Sequence, residues 1–323
     1  MSETITATIP PGWEGEWLSV EQAPESADFR VANPCLGNGA KLRELFETDG
    51  YLFVKGCIPT SEIQLVHDRA RQALHKLDWL EGAEDRVPAP GMTTTIGEDA
   101  FWPGLEAILR IPQVCRLTES AGLRAVLSDL FGEPVLCHPR RIPRAVFPAN
   151  PWGEVPAHQD LPYMQGTFDQ VTVWIPFHDC PREAGPLEVL AGSHLEGMRE
   201  MYGGGRFRCA ATHVDAADPR WRGGGFAAGD ALLFSSLTVH RARRNHSGRI
   251  RLSMDSRFQP VSSPMCEHVL DPPFHPHVAA WPQLLPDDPE LYQVPDGTLI
   301  EKFVEPHSYR PDGAARVFPW IKP

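Results

Sequence analysis

Apolar residues recur every third or fourth position in the first part of the chain and every second position in the middle. The stretch "GAKLRELFETDG" (39–50) predicts a short amphipathic helix that ends at Gly50, and "YLFVKGCI" behind it reads as an apolar strand. In "PTSEIQLVHDRARQALHKL", Ile63, Val66, Ala70, Leu74 and Leu77 fall on one helical face, with Ser61 as a cap. A proline-, glycine- and threonine-rich loop is expected over 83–103, followed by a helix in "GLRAVLSDLFG" that closes at Gly132. The period then shortens. From 133 to about 260 the chain reads as short strands with turns between them: "EPVLCHP", "QVTVWIPFHDC", "PLEVLAG", "RFRCAATHV", "GDALLFSSLTVH" and "RIRLSMDSRFQP". Alternation is clearest in the second, where Val171, Val173, Ile175 and Phe177 share one face and Thr172 and Trp174 the other. Many short strands at such spacing predict an antiparallel sandwich or barrel. The expected organisation is one domain over 1–323: an extended arm (1–38), a helical flank (39–132), a β core (133–262) and a C-terminal tail (263–323) with weak helical tendency near "HVAAWPQLL" and "DPELYQV". The fold class is α+β with a mainly β core.

Composition narrows the partners more than the fold. A chain of 323 residues can bury a large core without disulfides or metal. Its 33 prolines favour loops and strand ends over long helices. A net charge of −12 speaks against nucleic-acid binding, which needs a cationic surface. The 7 cysteines are odd in number and widely spaced with no C-x-x-C, which fits a reducing compartment. No apolar run is long enough to span a membrane, and the N-terminus lacks the basic and apolar regions of a signal peptide. The expectation is a cytoplasmic protein, for which "NHS" at 245–247 has no meaning as a glycosylation site.

The candidate chemistry begins at "PAHQDLPYMQG". His158 and Asp160 stand two residues apart, and residues i and i+2 of a strand project from one face. A second H-x-D, His213 and Asp215, has the same spacing. A third ligand decides between them. The apolar run "LLFSSLTVH" ends at His240, far enough from His158 for about four strands of ordinary length to intervene and too close to His213 for the same crossing. Two imidazoles and a carboxylate leave three positions open on an octahedral metal, the facial arrangement of non-haem Fe(II) oxygenases. Zinc accepts the same ligand types but keeps fewer positions open in its catalytic sites. Arg251, eleven residues after His240 on a returning strand, offers a guanidinium for a carboxylate. A co-substrate that chelates iron at one end and carries a carboxylate at the other is 2-oxoglutarate. Arg249 and Arg257 share the strand face of Arg251 and compete with it.

"HQDLPYM", "VTVWIPF", "EAGPLEVLAGSH" (183–194) and "GDALLFSSLTVH…RIRLS", in this order over roughly 130–260, resemble the phytanoyl-CoA dioxygenase family. The resemblance implies a double-stranded β-helix (jelly-roll, cupin-like) core, Fe(II), 2-oxoglutarate and O2 as cofactors, and hydroxylation of a small organic molecule with release of succinate and CO2. It implies iron at His158, Asp160 and His240, the distal 2-oxoglutarate carboxylate at Arg251, and Trp174 beside the co-substrate. Many relatives carry a hydroxyl residue two positions after the distal histidine. This chain has Ala242 there, so Ser253 or Thr172 is the candidate for that part. The turn often written ENG reads EAG here. Asp160 argues against halogenation, since halogenating relatives lose that carboxylate. The rival readings are a metal-binding jelly roll without redox chemistry, such as a cupin-like isomerase or a ligand sensor, and, more weakly, a zinc hydrolase.

Other residues stay open at this point. Arg140, Arg141 and Arg144 lie just before the metal motif and meet either an anionic substrate or solvent. His178, His194, His246, His268, His275 and His277 read as surface or loop histidines, and the glycine runs at 203–205 and 223–225 as flexible loops. Substrate specificity is expected to reside in 83–103, 162–169, 197–224 and the tail.

Overall fold

The computed structural model describes residues 23–201 and 210–308. The helical flank holds α1 (Gly39–Asp49), α2 (Thr60–His75), α3 (Phe101–Leu109), α4 (Pro112–Arg116) and α5 (Ala121–Phe131). Asn38 caps α1 by accepting the Lys41 amide, and Gly50 ends it in the left-handed conformation, φ +74°. A Cβ there would lie 2.3 Å from the His194 ring, so this helix end needs glycine twice over.

Thirteen short strands appear among the described residues: β1 (Ala27–Asp28), β2 (Tyr51–Val54), β3 (Val135–Cys137), β4 (Ile142–Val146), β5 (Val155–His158), β6 (Val171–Pro176), β7 (Leu187–Leu190), β8 (Trp221–Gly223), β9 (Ala231–Ser235), β10 (His240–Ala242), β11 (Arg251–Pro260), β12 (Met265–Cys266) and β13 (Ile300–Glu301). They form two main sheets. The larger runs β2-β9-β6-β11-β3, with β4 also on β11, and the smaller runs β1-β8-β7-β10-β5. The short α6 (Leu161–Met164) follows β5, and α7 (Trp281–Leu284) lies in the tail.

Strand alternation sorts the core into two compartments. Val171, Val173, Ile175, Leu233, Leu252 and Met254 pack outward against Leu42, Phe46, Ile63, Val66 and Leu127 of the helices. From the other faces, Tyr51, Trp174, Leu232 and Phe234 meet Leu187, Val189 and Ala242 of the smaller sheet. Helices thus cover one face of the larger sheet, and the two sheets enclose the other in the manner of a jelly roll.

Several expectations need correction. Pro59, not Ser61, precedes α2, and no side chain caps it. Leu77 lies beyond the end of α2 and is 37% exposed. α3 begins inside the stretch read as a loop. "LLFSSLTVH" is two strands, β9 and β10, in different sheets; His240 opens the second instead of ending the first. Ser235 makes the break, its carbonyl accepting the Thr238 amide and its hydroxyl accepting the Leu237 amide. Of "RFRCAATHV", residues 206–209 lie outside the described residues, and 210–214 are no strand. His178 and His194 are buried.

Candidate metal centre

His158 ends β5 and His240 opens β10, and the two strands pair antiparallel with His240 directly opposite His158. Cross-strand neighbours in this register point the same way, which brings the ring centroids to 4.1 Å. Among the described residues four strands, β6 to β9, intervene in sequence between the two histidines. Asp160 lies two residues past β5 at the start of α6 and caps no backbone amide there. Its Oδ1 is 3.8 Å from Nε2 of His158 and 3.8 Å from Nε2 of His240. Ligand atoms of the three buried residues fall within 4.8 Å of one another, the one such group among the described residues. The other H-x-D pair sits on an exposed loop, where Asp215 accepts the Ala217 amide.

The ring tautomers are set from behind. Nδ1 of His158 donates to the Pro156 carbonyl at 2.8 Å, and Nδ1 of His240 donates to that of Thr238 at 3.1 Å. A carbonyl only accepts, so the neutral rings carry hydrogen on Nδ1 and present Nε2 as a bare donor to a cation. Burial pulls the His240 imidazole down in pKa, which favours that neutral form, and Asp160 only partly offsets it. Burial alone would push the Asp160 carboxyl up, but Arg257, His240 and His158 hold it well below the usual carboxylate range. Two neutral imidazoles and one carboxylate suit a divalent cation of intermediate softness such as Fe(II).

Around this group, β6 and β11 supply a polar inner face. The Thr172 hydroxyl donates to Asp160 Oδ2 at 2.6 Å. Trp174, about 7 Å further along the strand, is fully buried, with the Arg251 guanidinium carbon 5.9 Å from its ring centre. Arg251 donates through Nη1 to the Gly185 carbonyl of the EAG turn. Its Nε and Nη2 are buried with no acceptor among the described residues, and burial brings the group down to about 10. A guanidinium stays charged at that value, so Arg251 carries a buried positive charge with unfilled hydrogen-bonding capacity. The Ser253 hydroxyl, next along the same face of β11, is buried with no partner among the described residues.

A cavity of about 810 Å3 opens onto His158 and Asp160. Ile96, Met164, Ala210, Phe274 and Phe303 reach it from the four segments in which specificity is expected. On β4 and just before it, alternate residues Arg140, Ile142 and Arg144 line the wall. Arg141, which points away, is tied to the Leu291 carbonyl and the Thr118 hydroxyl. His268, His275 and His277, read from sequence as surface or loop residues, also line the cavity.

Fold and site together define a jelly-roll protein with a buried two-histidine, one-carboxylate group under a substrate-sized cavity. The family model for phytanoyl-CoA dioxygenase (PhyH) matches residues 46–253, more than half of the chain, and the chain belongs to that family. It is therefore an Fe(II)- and 2-oxoglutarate-dependent oxygenase-family enzyme, with iron, 2-oxoglutarate and O2 as its cofactors. The 1-deoxypentalenic acid 11-beta-hydroxylase of Streptomyces arenae is 28% identical over 277 residues, covering 81% of this chain and 92% of the relative. The hydroxylase of the same name from Streptomyces exfoliatus is 26% identical over 275 residues, 81% of this chain and 92% of that one. Among solved structures, the epimerase SnoN in complex with Fe3+, alpha ketoglutarate and nogalamycin RO aligns with a TM-score of 0.53 at 19% identity, covering 73% of this chain and 91% of that one. The non-heme monooxygenase ThoJ aligns with a TM-score of 0.51 at 17% identity, covering 69% of this chain and 79% of that one. These two likenesses concern the fold. Among the described residues no helix is long and apolar enough to cross a membrane.

Proposed function

We propose that this chain hydroxylates an unactivated C–H bond of a small organic molecule, with His158, Asp160 and His240 holding Fe(II) and Arg251 gripping the far carboxylate of 2-oxoglutarate. The observation that carries the reading is the convergence of the three side chains beneath the cavity, with a buried guanidinium of unfilled hydrogen-bonding capacity close to the same inner face. With 2-oxoglutarate and O2, iron at such a site supplies the oxidising power to break a C–H bond. The chain's part is to orient, to exclude water and to hold the substrate carbon in place. Trp174 lies beside Arg251, and Thr172 steadies Asp160. Of the two hydroxyls weighed for the co-substrate, Ser253 is the one without a protein partner among the described residues, and it stands two residues from Arg251.

The substrate reading follows from the cavity walls. Ile96, Ile142, Met164, Phe274 and Phe303 suit an apolar body, while Arg140 has a buried Nε with no acceptor among the described residues. The Streptomyces relatives are named for an acid, so an apolar carboxylic acid is the first substrate class to try. Hydroxylation is preferred because those relatives are named hydroxylases, whereas the fold alone also carries an epimerase. Turnover of 2-oxoglutarate to succinate should be stimulated by such an acid, and the product should carry one oxygen atom from labelled O2. A product that differs from substrate in configuration or unsaturation, with no oxygen gained, would replace hydroxylation by another oxidative outcome.

A further inference from the structure

The carboxylate of Asp160 is clamped on one side only. Oδ1 faces the two Nε2 atoms, while Oδ2 accepts from Thr172 at 2.6 Å and from Arg257 Nη2 at 2.8 Å. Arg257 is itself held: its Nη1 donates to Asp255 Oδ2 at 2.5 Å, and Asp255 Oδ1 accepts from Arg144 Nε at 2.6 Å. Asp160, Arg257 and Asp255 are all buried and Arg144 is half-buried on the cavity wall, so the four charges alternate and sum to zero. Each charge thus has a neighbour of opposite sign, which offsets part of the desolvation that burial costs it. The strand explains how the set is built. Arg251, Ser253, Asp255 and Arg257 share the inner face of β11, whose other face carries Leu252, Met254 and Phe258 with Ser256 between the last two.

A carboxylate with both oxygens free can grip a cation through one or two of them. The geometry points to Arg257 and Thr172 as positioning residues that hold Asp160 to a single donor oxygen. The consequence lies in the ligand count. Three protein donors would leave three positions on an octahedral cation; a chelating 2-oxoacid would take two of them and leave one for O2. Were Oδ2 released, the same aspartate could occupy that last position. The clamp would also draw negative charge away from Oδ1, so it lowers the grip on the metal in exchange for an open site. This inference rests on the proposed ligand set.

Two titrations separate it from simple structural support. Metal-free wild type and variants are titrated with Ni(II) by calorimetry, and the Fe(II)–2-oxoglutarate protein is titrated without O2 with nitric oxide, an O2 surrogate read by electron paramagnetic resonance. Arg257→Gln should bind Ni(II) as tightly as wild type or more tightly, while its affinity for nitric oxide falls roughly tenfold or more. Arg257→Lys, which restores one donor, should recover part of the loss. If Arg257→Gln does not fold, Thr172→Val, which removes the other donor to Oδ2 and no charge, should show the same split. Nitric oxide affinity that holds at the wild-type value, or Ni(II) affinity that falls together with it, overturns the inference. Wild type that fails to bind Ni(II) at all would instead remove the ligand set itself.

Discussion

Arg251 is enclosed on β11 with two of its guanidinium nitrogens lacking acceptors among the described residues, against the edge of a compartment that already holds Trp174. A charge-assisted pair at such a place contributes about 1.5–3 kcal/mol. Arg251→Gln should therefore raise the KM for 2-oxoglutarate by one to two orders of magnitude and leave Ni(II) affinity near wild type. A KM within twofold of wild type would remove Arg251 from co-substrate binding. The convergence of His158, Asp160 and His240 was legible in the sequence because strand periodicity and interval turn residue numbers into faces, and so was the place of Arg251 on a neighbouring strand. Arg257 was read only as a rival to Arg251. A sign of its inward direction was present in "RLSMDSRF", where charged and hydroxyl residues alternate with Leu252, Met254 and Phe258 except at Ser256. What that pattern lacks is the partner, since Asp160 reaches Arg257 only through the pairing of sheets.

Among the elements, α3 shows why the flank was harder to read than the core. "FWPGLEAIL" carries proline and glycine, and both argue against a helix. Pro103 occupies the first turn, where a missing N–H costs nothing, and Gly104 lies beneath the Trp79 ring. A Cβ on residue 104 would come within 2.1 Å of that ring. Gly104→Ala gains roughly 1 kcal/mol of helix propensity but forces the indole to move, at a cost of about 1–3 kcal/mol. The variant should lower the urea midpoint, and a midpoint above wild type would show that the indole gives way freely. The break between β9 and β10 escaped for the opposite reason. Ser235 and Ser236 sit inside an apolar run and are themselves fully buried, so nothing in the hydropathy marks a turn that carries the chain from one sheet to the other.

Across the whole molecule, buried histidines tie stability to pH. Burial brings His138 and His178 down to about 3, with nearby arginines adding to the effect in both. Their folded forms stay neutral where the unfolded chain, near 6.5, takes up protons. Stability from this source is complete above that value and is lost as pH falls from 6.5 toward 3, at about 1.4 kcal/mol per pH unit for each group. Asp169 works the other way. Burial first and Glu133 second raise it to about 6, so its penalty is relieved over part of the same range. His268, also brought down to about 3 by burial and then Arg140, makes three groups against one; the urea midpoint should be lower at about pH 5.5 than at about pH 7.5, and a higher midpoint at the acid end would contradict it. At this scale alternation and turn spacing made an antiparallel sandwich or barrel legible, the family resemblance narrowed it to a jelly roll, and the order of the strands in the sheets stayed unread. The cavity was legible only as a set of segments expected to carry specificity. Its walls come from 95–96, 140–164, 210, 257 and 268–306, distant stretches whose meeting depends on how the tail crosses the core.

The central claim is that His158, Asp160 and His240 form one metal site at which 2-oxoglutarate chelates iron. The most direct measurement is an anaerobic titration of the metal-free protein with Fe(II) and then 2-oxoglutarate, following the weak visible charge-transfer absorption of the chelate. The band should appear in wild type and be absent in His158→Ala. Wild type that binds Fe(II) but develops no band on adding 2-oxoglutarate would contradict the account and put the rival non-redox metal-binding reading ahead of it.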